Sequence, residues 1–393
     1  MRRVYLDNNA TSPLLPEVFE VMRPCFFESF GNASSIHQQG QQARAAVERA
    51  RDSVAQLLGA RAVEIVFTSG GTEGDNLALA GMVRAGDHLI ASSIEHHAVL
   101  NSAKQLEALG VETTILPVDA QGLVNPDDVR AALRPNTRLI SLMMANNETG
   151  ALEPVEEIGK IAAEADVWFH TDAVQAAGKV PLDVERIKCD LLTISAHKLH
   201  GPQGVGALYV RRGTLLAPIM HGGRHERGRR AGTENLPGIV GLGKAAELAR
   251  EWLAGGGAAK MAAMRDRFEG EILRQVELTR VNSGAVARTP NTTNIVFECI
   301  EGEALVIALD LKGISVSTGA ACSSGAVEPS HVLTAMGLTS AEARASLRFS
   351  LGKQTSEDDL AFVLEQLPAT VAKLRQLSPV WNGAKIHLVS GTQ

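Results

Sequence analysis

Seven short runs rich in β-branched and aliphatic residues, EIVFTSGG, DHLIASS, ETTILPV, RLISLMMANN, VWFHTD, DLLTISA and GALYV, punctuate the chain between positions 64 and 210. Amphipathic helical patterns fill the intervals, and that alternation predicts an α/β domain around a mainly parallel sheet. Helical spacing is clearest at Ala43, Val47, Ala50, Val54 and Leu57, with Gly59 placed to end the helix in a left-handed cap. A second helix is expected near Pro154, a residue tolerated in a first turn. Around EWLAGGGAAK a glycine cluster is followed by a long helical pattern and then by new strand-like runs, NTTNIVFECI and RASLRFSLG, so a domain boundary is expected there. The last helix should start at Ser356, where Glu357, Asp358 and Asp359 favour the positive end of the helix dipole.

The 393 residues carry a net charge of −6, which argues against a nucleic-acid or anionic-membrane partner, since both require a basic face. No apolar stretch is long enough to span a bilayer, and MRRVYLDNNATSPL lacks the apolar run of a secretory leader, so a cytoplasmic protein is expected. Cys25, Cys189, Cys299 and Cys322 are far apart with no CxxC pair, a pattern that suits reduced thiols better than disulfides or zinc.

In open α/β sheets ligands bind beyond the carboxyl ends of the strands, so polar clusters directly after apolar runs are the places to look for chemistry. FTSGGTEGDN offers small residues and Thr72 before a helix; it reads either as a plain strand-to-helix turn or as an anion site on free backbone N–H groups. It is no Walker loop, because the lysine and its spacing are missing. FHTDAVQ and TISAHKLHGPQG put Asp172, Gln175, Ser195, His197 and Lys198 at consecutive strand ends. Singly, Asp172 reads equally as a solvated strand-end carboxylate or a site residue, and Lys198 equally as a surface charge or a site residue. Together with the Thr72 turn they supply what a phosphorylated pyridine aldehyde requires: an amine, a carboxylate for the ring nitrogen, and a phosphate cup. In SSIEHHAVL, His96 and His97 point in different directions and make no metal pair, and HGGRHE lacks acidic or thiol ligands at zinc spacing, so no metal site is expected. One of the two histidines is suited to lie over a ring and transfer protons. Finally, STGAACSSGAVEPS surrounds Cys322 with residues too small to build a core, which leaves a reactive thiol and a structural one both open.

The segments YLDNNATSP, FGNASSIH, FTSGGTEGDN, IEHHAVL, ANNETGALEP, FHTDAVQAAGKVPLD, SAHKLHGPQGVGALYVRRG, GGRHERGRRAGTEN, LRFSLG and LSPVWNG together resemble the cysteine desulfurases, pyridoxal-phosphate enzymes of the class V aminotransferase group, and most closely their NifS-like branch. The resemblance implies fold type I of the pyridoxal-phosphate transferases. A large cofactor-binding domain, 16–255, would hold a mainly parallel seven-stranded sheet, and a smaller α+β domain, 1–15 with 256–393, would carry the catalytic cysteine loop. It also implies roles. Lys198 forms the Schiff base with pyridoxal 5'-phosphate, Asp172 pairs with the pyridinium nitrogen, His96 stacks on the ring and Gln175 contacts the ring hydroxyl. Gly71, Thr72, Ser195 and His197 hold the phosphate with Thr233 of a second subunit, which implies a homodimer. Asn147 borders cofactor and substrate, and with Arg348 takes the substrate carboxylate, a role the planar guanidinium also suits on chemical grounds. The basic run from Arg224 to Arg230 reads as a solvated face, or as a support for the cofactor or the dimer contact.

By the same resemblance the reaction removes sulfur from L-cysteine, giving L-alanine and a persulfide on Cys322. The sulfur then passes to an acceptor scaffold protein, IscU- or NifU-like, for iron–sulfur cluster assembly, with nitrogenase maturation as one destination. A housekeeping desulfurase serving tRNA thiolation, a selenocysteine lyase or another class V aminotransferase are the alternatives, and the last has no need of Cys322. Cys25, Cys189 and Cys299 are read as packing residues. This chain departs from the family's usual pattern at STGAACSSG, Ala196 and Gln203, small changes that spare the named groups.

Overall fold

The computed structural model describes residues 2–319, 328–379 and 381. Each of the seven apolar runs is a strand: β1 (Ile65–Thr68), β2 (His88–Ser92), β3 (Glu112–Leu116), β4 (Thr137–Ser141), β5 (Trp168–Asp172), β6 (Leu191–Ser195) and β7 (Gly206–Val210). They form one sheet in the order β1-β7-β6-β5-β4-β2-β3. Four neighbouring pairs are parallel, whereas β7 runs antiparallel to both β6 and β1. The reversal at β7 follows from its connection: only residues 196–205 separate it from β6, and a parallel crossover needs a longer segment that includes a helix.

The helices cover both faces of this sheet. Helix α1 (Gln38–Leu58) buries Ala43, Val47, Ala50, Val54 and Leu57 and ends at Gly59 with φ 69°. Helices α2 (Gly71–Met82) and α3 (His97–Ala108) pack Leu79 and Val99 against Val66 and Leu208 on one face. On the other face α1, α4 (Val155–Glu164) and α5 (Leu236–Ala254) enclose Phe67, Tyr209 and Ile194. Adjacent strand residues such as Val66 and Phe67 therefore belong to different cores, as the two-residue pleat requires. Helix α4 starts one residue later than expected, with Pro154 as its N-cap. Helix α5 meets α1 closely, since a Cβ on Gly243 would lie 2.6 Å from the Ala50 Cα.

The chain breaks at Gly255–Gly256, where Gly256 takes φ +75°, and α6 (Gly257–Gln275) begins. Beyond it β8 (Thr279–Asn282), β9 (Thr292–Phe297) and β10 (Ser346–Ser350) form an antiparallel sheet with β9 in the centre. Its own core contains Phe268, Phe297 and Phe349, whose rings meet edge-on at 5.4 and 6.4 Å. Helix α7 (Glu357–Leu377) closes that core and starts in a capping box between Ser356 and Asp359. Val4 and Leu6 are buried in this second core. From there residues 7–15 run as a strap to the large sheet, where Ser12 and Leu15 donate backbone N–H groups to the carbonyls of His197 and His200 at 2.9 and 3.2 Å. Among the described residues no helix is long and apolar enough to cross a membrane.

Candidate active site

The carboxyl ends of β1, β5 and β6 deliver Thr68, Asp172 and Ser195 to one edge of the large sheet. Thr68 and Ser195 both register with Gly206 of β7, so a single glycine separates their strand ends. A Cβ there would lie 2.8 Å from the Gly70 carbonyl carbon and 2.9 Å from its Cα, so the absence of a side chain lets the Ser69–Gly70 turn fold over the sheet edge. Gly71 is equally confined, since its Cβ would approach Val174 Cγ2 to 2.8 Å. The turn delivers the N-terminus of α2 to an open cleft of about 350 Å³ lined by Ala10, Thr11, Ser69, Gly70, Gly71, Thr72, Glu73, Ser195, His197, Gln203 and Gly204.

That lining is rich in donors: hydroxyls of Thr11, Ser69, Thr72 and Ser195, the His197 imidazole, the Gln203 amide, and first-turn N–H groups that have no preceding turn to bond to. Glu73, the cleft's one carboxylate, is held by Arg230 at 2.8 and 3.1 Å and by the Ser69 N–H at 2.7 Å. A donor-lined cleft whose acid is already paired suits a phosphate. Gly71, Thr72, Ser195 and His197 thus lie together as expected. Arg230, from the basic run, supports the cleft through Glu73.

Lys198 comes three residues after Ser195, at the end of a short 3₁₀ turn over Ala196–Lys198. Its ammonium donates to the carbonyls of Asn9 and Ala10 at 2.5 and 2.6 Å. Burial, and after it the Arg348 charge, pull its pKa down to about 8 against the opposition of Asp7 and Asp172. Asp172 is buried, with Oδ1 accepting the Val174 N–H at 2.8 Å. Burial raises its pKa, while His96 and Lys198 counteract the rise. His96 is the N-cap of α3: its Nδ1 accepts the Ala98 N–H at 3.1 Å, which leaves Nε2 to carry the proton of the neutral ring. The surrounding protein lowers the His96 pKa, and Asp172 opposes that effect. His197 falls to about 4 through burial and the neighbouring lysines 198 and 179.

Arg348, on β10, reaches this edge from the second core. Its NH1 donates to the Asn147 carbonyl and its NH2 to Asp7 Oδ1, both at 2.8 Å, while its buried Nε has no protein partner. Asn147 and Arg348 are therefore brought together, though through the Asn147 backbone. Gln175 is buried between Lys179 and Asn9. Thr233 is exposed just before α5 and does not line the cleft of its own chain. Cys322 lies outside the described residues. Cys25 and Cys189 are buried free thiols as expected of packing residues, but Cys299 is only partly buried, in a turn with φ 67°.

Several groups at the site carry no signal in the residue pattern around them. Asn9 bonds Lys198 through its carbonyl and Asn147, Thr292, Lys179 and Asn291 through its side chain. Glu148 accepts from Ser330 at 2.5 Å, and the ring of His331 lies 4.7 Å from that of His97. The signal that existed was the quoted segment YLDNNATSP, a run of amides directly after an apolar stub, to which only the resemblance drew notice.

A lysine amine, a strand-end carboxylate and a phosphate-type cleft on one sheet edge, with an arginine arriving from a second core, match a known plan: the family model for aminotransferase class V covers residues 4–363, and the chain belongs to that family. A cysteine desulfurase IscS of Dictyoglomus turgidum is 48% identical over 98% of this chain and 99% of its own length. A solved NifS-like protein superposes with a TM-score of 0.87 at 36% identity, covering 95% of this chain and 100% of that one. SspA, solved in complex with cysteine, gives a TM-score of 0.78 at 40% identity, covering 88% of this chain and 98% of that one. Within the class V aminotransferases, the chain belongs to the cysteine desulfurases.

Proposed function

We propose that this protein uses pyridoxal 5'-phosphate to remove sulfur from L-cysteine, leaving L-alanine and a persulfide on Cys322. The observation that carries the reading is the meeting of Lys198, held near a pKa of 8, with buried Asp172 and the donor-lined cleft. The residues fit the cofactor. Gly71, Thr72, Ser195 and His197 would hold its phosphate, Asp172 would keep a proton on its ring nitrogen, Gln175 would face its ring hydroxyl, and Lys198 would bond its aldehyde. When bound, the group supplies an electron sink that lets the α-proton leave and weakens the carbon–sulfur bond.

The chain's own residues do the rest. Lys198, whose lowered pKa gives it far more free amine near neutral pH than an ordinary lysine, is a competent nucleophile and afterwards a holder of the α-proton at Nζ. His96, with its proton on Nε2, would cover the ring and return a proton. Arg348 and Asn147 orient the substrate through its carboxylate. Cys322, as thiolate, attacks the substrate sulfur: an S–S bond forms, the C–S bond breaks, and its electron pair stays on the carbon that becomes the methyl of alanine. The persulfide sulfur then goes to an acceptor scaffold protein, IscU- or NifU-like, for iron–sulfur assembly.

Exposed Phe19, Phe26, Phe27, Phe30 and Ile36, close together in the chain, support a homodimer in which Thr233 reaches the partner's phosphate cleft. The two separate cores support a large domain, 16–255, and a small one, 1–15 with 256–393. Free thiols at Cys25, Cys189 and Cys299 support residence in a reducing cytoplasm. The test is release of alanine and sulfide from L-cysteine with dithiothreitol. Wild type should form both and Cys322→Ala neither; full activity in the variant would refute the thiol step. Lys198→Ala should lose the cofactor's characteristic absorbance.

A further inference from the structure

We propose that Lys179 is a positioning residue for the reacting amine, holding the Asn9 and Gln175 side chains so that the Asn9 carbonyl that receives Lys198 is shared with Gln175. The inference rests on the reading of Lys198 as the reacting amine. Lys179 is 8% exposed, and its Nζ donates to Gln175 Oε1 at 2.7 Å and to Asn9 Oδ1 at 3.1 Å. Both partners are neutral amides. An amine buried against neutral groups is expensive, and burial, then Lys198 and Arg348, pull its pKa well below the usual lysine range.

What this amine does for the site follows from its chemistry. In both of these bonds it donates, so the atoms it meets must be the amide oxygens, which removes the ambiguity in how an Asn or Gln side chain points. With Oε1 held, Gln175 must direct Nε2 to the Asn9 carbonyl, at 3.0 Å. With Oδ1 held, Asn9 must direct Nδ2 to the Asn147 carbonyl at 3.1 Å, the same oxygen that Arg348 uses. Lys198 then donates to an Asn9 oxygen that already accepts from Gln175. An oxygen serving two donors stabilises an ammonium less than one serving it alone, and that sharing keeps Lys198 ready to lose its proton. Without Lys179, Gln175 is free to turn away and the Asn9 oxygen serves Lys198 alone. Both changes raise the Lys198 pKa.

The experiment is site-resolved acylation of lysines in the full chain freed of cofactor, read by peptide mass spectrometry from pH 6 to 11, for wild type, Lys179→Met and Lys179→Gln. The half-labelling pH of Lys198 should rise by about one unit in both variants, equivalent to about tenfold less free amine at neutral pH, with the high-pH plateau unchanged. A merely structural role would lower the plateau and leave the midpoint alone. The proposal is overturned if the midpoint stays within about 0.2 units or falls, or if only the plateau changes. Lys179→Gln retains polarity should the methionine variant fail to fold. Failure of the cofactor reading is separately visible, as wild type that develops no absorbance with pyridoxal phosphate, because the labelling needs no cofactor.

Discussion

Gly206→Ala tests whether the phosphate cleft is where the glycine contacts place it. The new methyl group would sit 2.6 Å from the Ile194 carbonyl oxygen, 2.8 Å from the Gly70 carbonyl carbon and 2.9 Å from the Gly70 Cα, all backbone atoms that no rotamer change can clear. Ordinary contact begins near 3.4 Å, so the Ser69–Gly71 turn must rise by about 0.6 Å. Overpacking of this kind costs roughly 1–3 kcal/mol of stability. The displaced segment also carries the first N–H groups of α2. Losing one charge-assisted bond to a phosphate costs about 1.5–3 kcal/mol, or about tenfold to a hundredfold in affinity. The assay is the Kd for pyridoxal phosphate by absorbance titration of the cofactor-free protein, with a thermal melt alongside. Gly270→Ala is the control: Gly270 lies within α6 with nothing near its would-be Cβ, so that change should leave Kd alone and raise stability by about 0.5–1 kcal/mol. A Gly206→Ala protein that melts lower yet binds the cofactor within about twofold of wild type would refute the placement of the cleft.

Two further perturbations probe groups behind the site. Glu226 binds both NH1 and NH2 of Arg51, at 2.7 and 2.9 Å, and accepts the Phe67 N–H at 3.0 Å, all buried. Glu226→Gln leaves the buried Arg51 guanidinium only the half-exposed Glu48, at 3.2 Å from its Nε, as counter-ion and should cost about 3 kcal/mol in denaturant unfolding; a loss under about 1 kcal/mol would contradict the account. Burial raises the Glu95 pKa from 4.5 to about 8, so between those values the native state keeps a proton that the unfolded chain has released. The resulting stability is fully present below pH 4.5 and is lost as pH rises through 8. Glu95→Gln should therefore narrow the gap between unfolding midpoints at acid and alkaline pH, and an unchanged gap would count against a protonated Glu95.

What the residues disclosed on their own was local. All seven apolar runs became strands, and Gly59 and Ser356 ended and began their helices where expected, because a left-handed glycine and a capping serine act within one turn. Asp172, Ser195 and Lys198 were legible because strand ends in an α/β sheet are where such groups collect. Even the reversal of β7 was encoded in the short connection before it. Individual roles were another matter. The pairing of Glu73 with Arg230, or of Arg348 with Asp7, joins residues far apart in sequence, and no periodicity in either segment announces its partner.

The strap over residues 7–11 shows why the distant part was hidden, and why it matters. Asp7, Asn8, Asn9, Ala10 and Thr11 follow a two-residue strand and form no helix, so their polar groups must find partners elsewhere if buried. Asn9 is buried, and its backbone N–H bonds Ser350 Oγ at 2.9 Å while its carbonyl receives Lys198. One end of the strap is anchored by Val4 and Leu6 in the second core, and the other by Ser12 on the backbone beside Lys198. Asp7, within the same strap, receives Arg348. The two groups assigned to cofactor and substrate, one from each core, are thus tied to a single stretch of five residues. Because Lys198 is rooted on one core and Arg348 on the other, a shift of the cores must strain their bonds to Asn9, Ala10 and Asp7, and the strap resists any change in the spacing between amine and guanidinium.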